Sequence, residues 1–170
     1  MTASQPAFEY VAHWQTQLPD EERDVVAFWQ AEDALGEDIK PEDRLREVVL
    51  HARDGSGSVA GVCTAVPVTL PRLGQPMYYY RCFIGEQWRK TKLVLHMLNR
   101  TFEILETHAR KNDYPCIGVV LELENERFGK TLREPVWSVN NFVYIGFSGR
   151  GLELRVRYFK GAKLKQPAKS

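Results

Sequence analysis

The sequence predicts an α/β (α+β) protein: a mixed, mostly antiparallel sheet of about seven strands with helices on both faces. Three observations carry this. Tyr78–Ile84 is short and aromatic, and a basic loop from Gly85 to Lys92 delivers it to a stretch with Val94, Met97, Leu98, Phe102 and Leu105 at helical spacing. Asp54-Gly55-Ser56-Gly57 is a tight turn between two apolar runs, the mark of a hairpin. Cys116–Leu123 is almost wholly apolar, as a strand covered on both faces should be.

The remaining elements follow in order. Phe8–Trp14 alternates loosely and reads as a first strand. Asp20, Glu21 and Glu22 suit the positive end of a helix dipole, Val25, Phe28, Trp29 and Leu35 give that helix an apolar stripe, and Gly36 stops it. Pro41–Arg46 begins a short second helix with proline in its first turn. Glu47–Arg53 and Val59–Val68 are the hairpin strands, and small Gly61 and Ala65 would let a backbone or a ligand approach. Pro67–Pro76 is a loop. The helix after the basic loop runs from about Lys92 to Lys111 and is the longest. Glu124–Arg133 is a short helix weakened by Gly129, Pro135–Asn141 is irregular, and Phe142–Phe147 and Leu152–Phe159 are two strands around Ser148–Gly151. We expect a single domain over 1–170, with 161–170 a basic, frayed tail.

Composition narrows the class. No apolar run approaches the roughly 20 residues that span a bilayer. Met1–Pro6 lacks the basic-then-apolar pattern of a signal peptide. Cys63, Cys82 and Cys116 lie singly in apolar runs, so they read as buried, reduced thiols in a cytoplasmic protein. His13, His51, His96 and His108 form no metal motif, and His51 reads as structural or exposed. Lysine plus arginine number 23 against 22 acids, yet the two ends differ. Met1–Glu47 holds twelve acids and four bases, whereas Arg150–Ser170 holds seven bases and one acid. The acidic end would suit a cationic substrate, the basic end an anion, or the two simply complement each other.

The element order resembles the GNAT N-acetyltransferase superfamily over nearly the whole chain. Val59-Ala60-Gly61-Val62 resembles its second and third strands, Phe83-Ile84 through Leu98 its acyl-CoA loop and helix, and Tyr144-Ile145-Gly146-Phe147 its late Gly-Phe signature. The resemblance implies acyl transfer to an amine of a small molecule or protein, with acetyl-CoA or another acyl-CoA as co-substrate. Cofactor contacts would then come from Phe83, Ile84, Arg89, Lys90, Thr91, Lys92, Leu93 and, on the pantetheine arm, Asn125, which reads equally as a helix N-cap. Three positions depart from the family pattern. Lys92 and Val94 stand where small residues are expected, and Phe142 stands where many members carry a tyrosine acid. Lys92 would either compensate as a point charge or fill the phosphate space.

Acyl transfer needs a neutral amine, a stabilised oxyanion and a protonated thiolate. Glu86, Glu122 and Glu124 are candidate bases, a backbone N–H near Ile84 would meet the oxyanion, and Tyr144, Tyr80, Cys82 or a water could supply the proton. The alternative is a GNAT-like module without catalysis. Nucleic acid is a possible but less favoured partner of it, through interleaved basic and aromatic residues at Arg155–Lys160. An oligomer is compatible with either reading.

Overall fold

The computed structural model describes residues 6–166. The elements follow in the expected order: β1 (Glu9–Ala12), α1 (Pro19–Ala31), α2 (Pro41–Leu45), β2 (Val48–Arg53), β3 (Val59–Thr69), β4 (Pro76–Ile84), a 3-10 turn (Glu86–Trp88), α3 (Leu93–Lys111), β5 (Gly118–Leu123), α4 (Glu126–Thr131), β6 (Val143–Phe147) and β7 (Glu153–Tyr158). The strands form a seven-stranded sheet in the order β1-β2-β3-β4-β5-β7-β6. The β1–β2, β2–β3, β5–β7 and β6–β7 pairs are antiparallel, while β4–β5 is parallel, with its last paired residues Tyr80 and Leu121. The expectations for Met1–Gln5 and for 167–170 of the tail lie outside the described residues. No described helix is long and apolar enough to cross a membrane.

The chain divides into two compact units, Met1–Ala65 with Cys82–Ile104, and Val66–Arg81 with Leu105–Ser170. The first has a core of Val25, Phe28 and Trp29 from α1 against Val48 and Val62. The second packs Met77, Ile117, Val120, Leu154 and Val156, with Leu70 and Leu73 against them. Burying such side chains contributes roughly 1.5–3 kcal/mol each before conformational entropy is set against it.

Local chemistry explains the boundaries. Pro19 opens α1 without losing a needed N–H, and Asp20, Glu21 and Glu22 occupy the positive end of its dipole. Arg110 and Lys111 complement the negative end of α3. The first strand is shorter than Phe8–Trp14, because the chain turns at Gln15 with φ 56°. Gly61 admits no ligand: a Cβ there would lie 2.8 Å from Ile84 Cδ1 and 2.9 Å from Met97 Sδ, so the chain itself fills the space. Cys63 and Cys116 are buried thiols, and Cys82 is a half-buried one.

Candidate functional site

The end of β4, the 3-10 turn and the start of α3 form one continuous turn within the first unit. Ile84 ends the strand, nearly buried, and the Gly85 N–H donates to Ala60 O at 2.8 Å. Thr91 then caps the helix. Its hydroxyl donates to Trp88 O at 2.7 Å and accepts from the Leu93 N–H at 3.2 Å. Leu95 and His96 donate to Lys92 O, at 3.1 and 3.2 Å. Buried Leu93 anchors the helix start, while Lys90 and Lys92 are exposed. Among the described residues, the N–H groups of Gln87, Lys90, Lys92 and Val94 are the donors of this turn that the chain does not engage itself. A helix start with unengaged donors and two solvated cations can hold an anion.

Arg89 does something else. Its Nε donates to Ile84 O at 3.1 Å, and its guanidinium lies over the Phe83 ring, 5.4 Å from the centroid. In this conformation it braces the strand end. Phe83 in turn meets Phe28 of α1 edge-on at 6.0 Å. Trp88 packs edge-to-face on Phe8, with centroids 5.1 Å apart.

Glu86 is exposed, and its N–H donates to Glu32 Oε2 at 3.3 Å. Glu32 was not singled out by the sequence analysis. It is the C-cap of α1, whose last turn carries no basic residue, so its carboxylate sits at the negative end of the dipole. An acid in that unfavourable place was the signal available in the sequence.

In the second unit Glu122, near the end of β5, accepts from three side chains. Tyr79 Oη donates to Oε1 at 2.9 Å, and Ser148 Oγ donates to Oε2 at 3.0 Å. Arg150 donates to the same Oε2 from Nε at 3.2 Å and from Nη2 at 2.9 Å, and also reaches Glu124 at 2.9 Å. Burial pushes the Glu122 carboxyl up, but these hydrogen bonds outweigh it and hold the group below the usual carboxylate range. Tyr144 lies on edge strand β6, 39% exposed, with its N–H on Pro135 O at 2.8 Å and its ring edge-on to Phe147. Phe142 is fully buried. Asn125 precedes α4 and is exposed, and its carbonyl accepts from the Phe128 N–H at 3.1 Å.

Of the basic residues in the interleaved segment Arg155–Lys160, Lys160 is exposed and Arg157 half-buried, but Arg155 is not free to meet a partner. Arg155 is 2% exposed, bonded to Glu153 at 2.5 Å and to Pro135 O at 3.3 Å, with its guanidinium 4.2 Å from the Trp137 centroid. It fastens the irregular segment before β6.

An acetyltransferase of the GNAT family from Streptococcus pneumoniae has a similar structure, with TM-score 0.62 and 14% identity over 90% of this chain and 99% of that one. The fold is that of the GNAT acetyltransferases. A GNAT-family acetyltransferase from Listeria monocytogenes matches at TM-score 0.57 and 14% identity, covering 94% of this chain and 99% of its own. AtaTR bound with AcCoA matches at 0.55 and 11%, covering 93% and 96%. No family model matches the sequence, and neither does any curated protein. The GNAT fold is thus legible in three dimensions where sequence identity is low.

Proposed function

We propose that this chain is an acyl-CoA-dependent N-acyltransferase. The observation that carries the reading is the passage from β4 through Thr91 into α3 on a GNAT fold, with donors of Lys92 and Val94 left for an anion. Those donors, with Lys90 and Lys92, would hold the pyrophosphate of acyl-CoA, and Thr91 and Leu93 fix the helix start in position. Phe83 and Ile84 line the strand end along which the acyl arm would run, and Arg89 braces it. Asn125 is assigned to the pantetheine arm by the family resemblance alone. Acyl-CoA supplies an activated acyl group for an attacking amine.

Of the three acids proposed as bases, Glu86 is the best suited, being exposed beside the strand end. Glu122 is the weaker base because its hydrogen bonds favour the charged form, and a carboxylate held down in pKa takes a proton less readily. Glu124 shares Arg150 with Glu122. Tyr144 carries a hydroxyl for the leaving thiolate, a proton that Phe142 cannot give. The cytoplasmic, single-domain reading belongs to the same proposal.

One observation favours the non-catalytic module. Val94 is half-buried where the family keeps a small residue, so its side chain competes with a phosphate for the turn. Thermal unfolding with and without acetyl-CoA separates the readings, since a ligand that binds only the folded state raises the melting temperature. The enzyme reading predicts a dose-dependent rise in the wild type, which Lys92→Gly leaves alone or reduces where Lys92 serves as a phosphate charge and enlarges where its side chain fills the phosphate space. No rise in either form favours the module.

A further inference from the structure

The buried groups beneath the first half of α1 have no part in acyl transfer. His13, just after β1, is 4% exposed, and His51, in the middle of β2, is 0% exposed. His13 Nε2 and His51 Nδ1 are 2.6 Å apart, with ring centroids 4.8 Å apart. One nitrogen of such a bond must carry a proton and the other must be bare. His51 Nε2 lies 3.1 Å from Glu21 Oε2 without hydrogen-bond geometry. Glu21 also accepts from Arg53 Nε at 3.2 Å, and Arg53 Nη2 bonds Asp24 at 2.7 Å.

These groups attach a part of α1 that packing does not. None of residues 19–24 is buried, and Val25 is the first core residue of the helix. Leu18, the N-cap, offers no side-chain cap of its own, and its N–H donates to Glu22 Oε1 at 3.3 Å, a bond within the helix start that does not reach the strands. Among the described residues, the ties from 19–24 to the strands are Glu21 and Asp24 to Arg53, with His51 under Glu21. A segment with few apolar contacts is where local opening is cheapest.

We propose that the His13–His51 pair, with Glu21 above it, is an acid-sensitive latch that holds the first half of α1 against β1 and β2, and that charging the pair opens it. With both imidazoles charged, the facing nitrogens would each carry a proton and the 2.6 Å contact becomes repulsive. Every facing charge enters the balance. Burial and Arg53 oppose a proton on either ring, His13 opposes one on His51, and Glu21 with Glu22 or Asp24 favours it. The opposing effects win: burial above all pushes His13 down, and pushes His51 down from 6.5 to about 4. Both folded values lie below the unfolded one, so the latch stabilises fully above about pH 6.5 and loosens as pH falls toward 4.

The test is amide hydrogen exchange on the full chain at pH 7 and pH 5, corrected for the intrinsic rate. The latch predicts that protection over residues 22–26 falls by about tenfold or more, while β5 amides keep theirs. His51→Asn keeps an acceptor near the Nδ1 position but leaves His13 as the pair's one titrating ring, so its α1 protection should fall clearly less between the two pH values than that of the wild type. Unchanged α1 protection in the wild type, an equal loss in β5, or a full pH response in His51→Asn each overturns the proposal. Should His51→Asn not fold, an NMR titration of the wild type decides. Resonances of 19–26 must move with those of the two imidazoles, and immobile α1 resonances while the rings titrate would refute the latch.

Discussion

Tyr79 of β4 donates its hydroxyl to Glu122 of β5 at 2.9 Å. In the parallel ladder Tyr79 pairs with Val120, so Glu122 is its diagonal neighbour two residues on, on the same face. Ser148 and Arg150 complete the carboxylate's shell and fasten the turn between β6 and β7 to the end of β5. Glu122 is therefore an anchoring group in this conformation, whatever else it does.

Tyr79→Phe removes one of these donors and should cost about 0.5–1.5 kcal/mol, the usual net value of one such bond. Denaturant unfolding at several pH values checks it. The folded Glu122 carboxyl lies below its ordinary 4.5, so its stabilisation is present above that value and is lost as pH falls. The difference between wild type and variant should be largest at neutral pH and shrink below about pH 4.5.

Gly146 interrupts β6 with φ +111°, at a register shift between Tyr144 and Gly146. The Arg72 guanidinium packs over it and donates to Ile145 O, so an added Cβ would collide with Arg72. Gly146→Ala should cost about 1–3 kcal/mol. Adding Arg72→Ala should return part of that by relieving the collision, while the backbone strain remains. Urea unfolding of the two single variants and the double variant measures both parts.

The thiols should react in a fixed order. Burial pushes Cys116 up to about 11, leaving little thiolate at neutral pH, whereas Cys82 is only half-buried. Native labelling followed by peptide mass spectrometry should find Cys82 modified first and Cys63 and Cys116 protected. Cys116 reacting as fast as Cys82 would contradict the packing of Ile117 and its neighbours.

The parts legible in the sequence were those written locally. The apolar spacing of Val94 to Leu105 and the Asp54–Gly57 turn each fix an element without help from distant residues, and both elements formed as expected. The long-range pairings were not legible. Nothing local tells that Arg89 turns back onto Ile84 O, that Glu32 meets the Glu86 N–H, or that His13 finds His51 across 38 residues. Arg155 was misleading for the same reason. Read along the strand it is a cation available to a partner, yet its guanidinium is taken up by Trp137 and Glu153.

The claim that α3 begins at an acyl-CoA site is tested most directly by calorimetric titration of acetyl-CoA. The account predicts saturable binding to the wild type that weakens by about tenfold or more when Lys90 and Lys92 are both changed to Glu. The same reversal at Lys163 and Lys165, in the chain's C-terminal tail, should leave binding unchanged. Absence of binding in the wild type and in Lys92→Gly, or equal loss from both lysine pairs, would contradict it.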